Sequence, residues 1–170
     1  MTMKKAFLTM ALVLTTIAAS AQWYVGGGIG FSKTENGNEE TTAFVFKPEA
    51  GYSLNEKWTI GAVVEFDWVK DYSTAYAINP YVRYSFFKAG NFSFFADGTV
   101  ELGSIDPEVG DAQFMWGAGI KPGIGYSFTD HISIAAHIGW IGHRDYDDIG
   151  NETGISLDGN DMSFSIYYSF

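Results

Sequence analysis

Apolar and polar residues alternate along most of this chain. From Met162 to Phe170 the even positions read Met, Phe, Ile, Tyr and Phe, set against Ser163, Ser165 and Ser169. From Phe114 to Phe128 the alternation is unbroken, with aromatic and aliphatic residues on even numbers and glycines, Gln113 and Lys121 on odd ones. A period of two is the mark of an extended strand with unlike faces. It recurs over Phe44–Leu54, Trp58–Trp68, Tyr76–Phe86, Phe92–Leu102 and Ile132–Trp140. It is weakest in the first segment, where Trp23, Val25, Ile29 and Phe31 oppose Gly26, Gly28 and Gly30. The pattern predicts eight strands of about ten residues, long enough to cross a bilayer at a steep tilt.

The two faces differ in charge. The apolar face carries none, whereas the opposite face carries Lys47, Glu49, Glu65, Asp67, Arg83, Asp97, Glu101, Lys121 and His137. Aromatic residues mark both ends of the apolar face. Trp23, Tyr52, Trp58, Tyr84, Phe86, Phe92, Tyr126, Phe128, Tyr168 and Phe170 lie at one end, and Phe31, Trp68, Tyr76, Phe114, Trp116 and Trp140 at the other. Paired aromatic girdles belong at the two interfaces of a membrane. The reading is therefore an all-β fold: an eight-stranded antiparallel up-and-down transmembrane barrel with lipid on the uncharged face and the ionisable groups in the lumen. Short turns at 55–57, 87–91 and 129–131 alternate with longer polar segments near 32–41, 69–75, 103–112 and 142–161. That alternation puts the short turns and both termini on the periplasmic side.

An interior of this size holds only side chains, so its charges are expected to pair. Register about the 55–57 turn sets Lys47 directly opposite Glu65. Arg83 and Asp97 are expected as diagonal neighbours, and Lys121 near Glu101 or Asp97. Glycines on the first and sixth strands are expected to make room for Tyr81, Arg83, Phe87, Phe95 and Lys121. The triplet Tyr-Ser-Phe ends the fourth, sixth and eighth strands, at Tyr84, Tyr126 and Tyr168, and Tyr52-Ser53-Leu54 ends the second. Pro48, Pro80 and Pro122 each stand four residues before such a tyrosine. Each proline removes one ladder donor, so a bulge is expected near each.

Composition adds a compartment. Lys4 and Lys5 precede the apolar run Ala6–Leu14, and Ala19-Ser20-Ala21 precedes Gln22. A basic, an apolar and a small-residue region in that order form a cleavable secretory signal peptide. Residues 1–21 are assigned to it and 22–170 to the barrel, with no further domain expected. The net charge of −10 becomes −12 once Lys4 and Lys5 leave. The chain has no cysteine, which excludes disulfides and thiolate metal sites. In the loop segments 33–40, 69–75, 104–111 and 144–161, thirteen acids face three Lys and Arg residues. Such a surface repels nucleic acid.

At these residues the chain resembles the small eight-stranded outer-membrane barrels of the OmpA/OmpX type, the "outer membrane protein beta-barrel domain". The resemblance rests on the Pro-x-x-x-Tyr strands, the run Tyr24-Val25-Gly26-Gly27-Gly28-Ile29-Gly30 and the terminal Phe170. It implies outer-membrane lipid and lipopolysaccharide as surroundings. It also implies that Ile166, Tyr168 and Phe170 form the signal read by the barrel-assembly machinery. The reading is of a monomer without cofactor or catalytic residues, serving envelope structure or surface adhesion toward an unnamed extracellular ligand. A narrow ion or small-solute channel is the alternative, and a lipid A-modifying barrel the third possibility. His131-Ile132-Ser133 has the spelling of a catalytic pair known in one such barrel but falls at a periplasmic turn, without a converging carboxylate. Asp145, Asp147, Asp148 and Glu152 are the candidates for loop interaction. Ile149 and Ser156 occupy ligand positions of the loop beginning at Asp145 and break a calcium-loop pattern.

Overall fold

The structure is a computed structural model that describes residues 23–36, 39–108, 110–147, 150–157 and 162–170. The assigned signal peptide, Asp148 and the side chain of Phe31 lie outside the described residues. The strands are β1 (Trp23–Asn36), β2 (Glu39–Ser53), β3 (Trp58–Val69), β4 (Ser73–Ala89), β5 (Phe92–Pro107), β6 (Gln113–Ser127), β7 (Ile132–Ile138), β8 (Trp140–Asp145), β9 (Asn151–Ser156) and β10 (Met162–Ser169). Each pairs antiparallel with its neighbour. The wall closes where β10 returns to β1, from Tyr24 opposite Ser169 to Gly27 opposite Ile166. β7 and β8 share one crossing and β9 and β10 the next, because β8 pairs with β9 as β7 pairs with β10, so the ten strands make eight crossings. Following register partners from Ser127 around the wall leads back to the same strand at Gly117, ten residues higher. A stagger of this kind is what tilts the strands of a closed barrel.

The faces divide as the alternation requires. Phe44, Val64, Phe66, Ile78, Val100, Ile120 and Phe164 are exposed, while Glu49, Asn79, Asp97, Thr99 and Glu101 are buried. The charged face is the inside.

The repeated triplet now has a structural account. Tyr52, Tyr84 and Tyr126 stand directly across from Trp23, Trp58 and Phe92, the first residues of β1, β3 and β5. Their rings meet at centroid distances of 5.0, 4.6 and 4.8 Å. Cross-strand aromatic pairs are among the stronger units of sheet cohesion. The triplet serines, Ser53, Ser85, Ser127 and Ser169, turn inward and line the mouth at the end that carries the termini.

Two register shifts depart from the simple alternation. One lies between Ser85 and Phe87. It turns Phe87 outward against Phe94, at 5.7 Å between rings, and corrects its placement in the lumen. The other is at Gly139. Gly123 pairs with His137 while Ile120 pairs with Ile141, so Lys121 and Pro122 face Ile138, Gly139 and Trp140. Pro122 has no N–H to donate, and Gly139 takes φ +83°. The extra residue flips the parity beyond it. Trp140 is therefore inside and 2% exposed, not part of the outer girdle. Arg144 follows it inward, and His143 turns outward beside Trp116 at 5.3 Å. Pro48 and Pro80 produce no shift, because register continues unchanged from Phe46 to Glu49 and from Ile78 to Tyr81. A proline can forfeit a rung without displacing the strand.

A Cβ at Gly139 would lie 2.2 Å from the Ser156 carbonyl oxygen, whereas one at Gly154, on the same hairpin, would meet nothing within 4 Å. Gly139→Ala is expected to cost about 1–3 kcal/mol and Gly154→Ala well under that, as measured by urea unfolding of the refolded protein.

Candidate functional site

The lumen is a stack of three polar layers. At the end that carries the termini an open cup of about 630 Å³ is lined by the triplet serines with Thr59, Ser93 and Ser133. At the loop end a cavity of about 340 Å³ is lined by charged side chains from several strands. Between them lies a closed layer.

That layer is built on Glu49, which is 6% exposed. Tyr167 Oη donates to Glu49 Oε2 at 2.9 Å. Tyr81 donates to Glu49 Oε1, and Tyr24 lies 3.4 Å from the same oxygen and against the Tyr81 hydroxyl. Three phenols thus hold one buried carboxylate. Beside it Arg83 makes a two-pronged contact with Asp97, Nε to Oδ1 and Nη2 to Oδ2, each at 2.8 Å. Asp97 Oδ2 also meets His137 Nε2 at 2.8 Å. The Arg83 guanidinium lies 4.1 Å from the centre of the Phe95 ring, which gives the cation an aromatic face as well as a counter-ion. Bidentate Arg–carboxylate contacts are the stronger kind of charged hydrogen bond.

Steric room for these rings comes from glycine. Tyr24 stands across from Gly51, Tyr81 from Gly61, Phe95 from Gly123 and Tyr167 from Gly26. A Cβ on any of those glycines would fall 2.3–2.5 Å from the partner ring or hydroxyl. The glycines of β1 and β6 were expected to serve this purpose; Gly51 on β2 and Gly61 on β3 do so as well.

The predicted pairs are largely in place. Lys47 bridges Glu65 across the β2–β3 register, as the turn implied. Lys121 bonds Glu101 Oε1 at 2.6 Å. Arg83 and Asp97 stand directly opposite, which corrects the diagonal placement. The shift at Phe86 lies between that pair and the turn, so counting from the turn put it out of step. The sequence reading missed four members. Tyr24 and Tyr167 were legible from parity but carry no charge to draw notice. Asn79 was on the lumen face, and its amide nitrogen donates to Glu65 Oε2 at 2.9 Å. Arg144 was assigned to an acidic loop; it lies inside and bonds Glu101 Oε2 through Nε at 2.9 Å. Only the Gly139 bulge puts it there.

Outside the lumen, Asp145, Asp147 and Glu152 gather around the β8–β9 hairpin. Asp145 Oδ1 accepts from the Asp147 N–H at 3.2 Å, and Glu152 stands across from Arg144. Among the described residues, no three His, Cys, Asp or Glu side chains converge to hold a metal ion. His131 stacks on Tyr168 and its Nδ1 contacts the Ser169 carbonyl at 2.8 Å. Ile166 and Tyr168 lie exposed on the outer face of β10, and Tyr168 meets Phe170 at 5.3 Å.

A closed wall with an uncharged belt and an ionisable axis is an integral membrane β-barrel. The chain belongs to the outer membrane protein beta-barrel domain family, whose model matches residues 6–170. Among solved structures it is similar to the crystal structure of Neisserial surface protein A (NspA), at a TM-score of 0.61 and 15% identity, covering 87% of this chain and 97% of that one. No curated protein matches the sequence.

Removing Asp97 strips the buried Arg83 guanidinium of both its short hydrogen bonds and leaves it a longer contact with Glu49 Oε1 at 3.8 Å. Asp97→Leu alone is expected to destabilise the barrel by about 3–5 kcal/mol. Combining it with Arg83→Met should fall short of additivity by about 0.5–3 kcal/mol, read from unfolding transitions of all four proteins in the same micelles.

Proposed function

We propose that this outer-membrane barrel is non-enzymatic and non-conducting, and that it serves envelope structure and surface interaction through its acidic loop end. The observation that carries the reading is the closed layer of Glu49, three tyrosines, Arg83 and Asp97 between the two cavities. A hydrated ion would have to break several charge-assisted hydrogen bonds to pass it. The first and last described residues meet at the end with the short turns, where the Phe170 N–H donates to the Trp23 carbonyl at 3.0 Å. Barrels of this class turn that end to the periplasm, which supports loops that face outward.

Two measurements test this. In planar bilayers the purified protein should give no single-channel steps; regular steps whose conductance rises with Tyr81→Phe or Tyr167→Phe would establish the channel instead. Because the chain lacks cysteine, single cysteines report sidedness cleanly. Thr153→Cys should react with an impermeant maleimide on intact cells and Asn55→Cys only after lysis; the reverse labelling would invert the orientation.

A further inference from the structure

The loop-end cavity sorts its charges by side. On β2 and β3 the ammonium of Lys47 bridges Glu65, and a second carboxyl, Asp67, stands in the same wall. Across the barrel, on β5, β6 and β8, the single carboxylate of Glu101 takes both Lys121 and Arg144. Acceptors without partners lie on the side of Asp67. Asn79 is 5% exposed, and its side-chain oxygen has no hydrogen-bond partner although its nitrogen is engaged by Glu65. Asp67 Oδ1 is likewise buried and without a hydrogen-bond partner. Both residues line the cavity. Buried acceptors left without donors cost free energy, and here two of them point to a donor-rich group.

We propose that this cavity is a binding site for a small zwitterion, an amino acid or short peptide whose ammonium faces Asp67 and Asn79 and whose carboxylate faces Lys121 and Arg144. The volume of about 340 Å³ lies at the lower end of small-molecule sites. A metal ion fits less well, because the described residues offer no cluster of three ligating side chains. An ammonium needs fewer acceptors and brings its own donors. The floor is the closed layer, so the site is a blind pocket that takes up and releases its ligand through the loop end. The inference rests on the reading above only for the side of the membrane on which the pocket opens, which cysteine labelling reports separately.

The test is isothermal titration of the full folded chain in nonionic micelles at low ionic strength. Three probes are compared: glycylglycine, ethylamine for the ammonium alone, and acetate for the carboxylate alone. Glycylglycine should bind about tenfold more tightly than either half, and Asp67→Asn should remove about that factor while leaving the weak acetate response unchanged. Glu56→Gln, at the other mouth, should change nothing. The absence of saturable glycylglycine binding, an affinity no better than that of ethylamine or acetate, or indifference to Asp67→Asn would each overturn the proposal. The wild-type comparison of probes stands even where a variant fails to refold.

Discussion

Everything inside this wall answers to one constraint: charge taken out of water must meet opposite charge or hydrogen-bond donors at short range. The narrow lumen of an eight-crossing barrel leaves little room for solvent to do it. Glu49 is therefore held by three phenols, Asp97 by a guanidinium and an imidazole, and Glu101 by an ammonium and a guanidinium. The partners come from six strands, β1, β2, β4, β5, β7 and β10, in the closed layer alone. The ion pairs consequently tie distant parts of the chain to one register. A strand slipped by one residue would push its charges into hydrocarbon and its aromatics into the lumen, so polarity and register enforce each other.

Packing solves the matching steric problem. Large rings cannot share a narrow lumen unless the opposite positions are empty. Four of them lie directly across from a glycine, and a methyl group at any of these glycines would collide. High aromatic and high glycine content are thus two sides of one device. The glycines would weaken an ordinary strand, but each here sits beneath a ring that covers the exposed backbone.

Most of the fold was legible because its period is two and its wall is closed. Once the uncharged face is assigned to lipid, every residue in register follows, and Lys47 opposite Glu65 is a direct consequence. Legibility failed where the count failed. One extra residue at Gly139 moved Trp140 and Arg144 inside and His143 outside, and one at Phe86 moved Phe87. Nothing local announces either shift: Gly139 resembles the other glycines on these strands, and the proline that accompanies its bulge is on the neighbouring strand. Pro48 and Pro80 show that a proline alone is a poor predictor. Tyr24 and Tyr167 escaped notice for another reason. They are recognisable only when three strands far apart in sequence converge.

The two ends of the barrel are built differently, and the difference bears on what each is for. At the terminal end, tight turns, cross-strand aromatic pairs and inward serines recur from hairpin to hairpin. The repetition leaves a regular rim around a cup lined largely by serines. At the loop end the wall changes register at Gly139, and β9 hydrogen-bonds only to β8 among the described residues. The sheet there no longer follows the barrel, and Lys47 shares one wall with two carboxyls while Lys121 and Arg144 share Glu101 on the other. The regular rim repeats one geometry, whereas the irregular one carries a different set of charged groups on each side. The break at Gly139 creates the second from the first, since it alone brings Arg144 and Trp140 to the lumen wall.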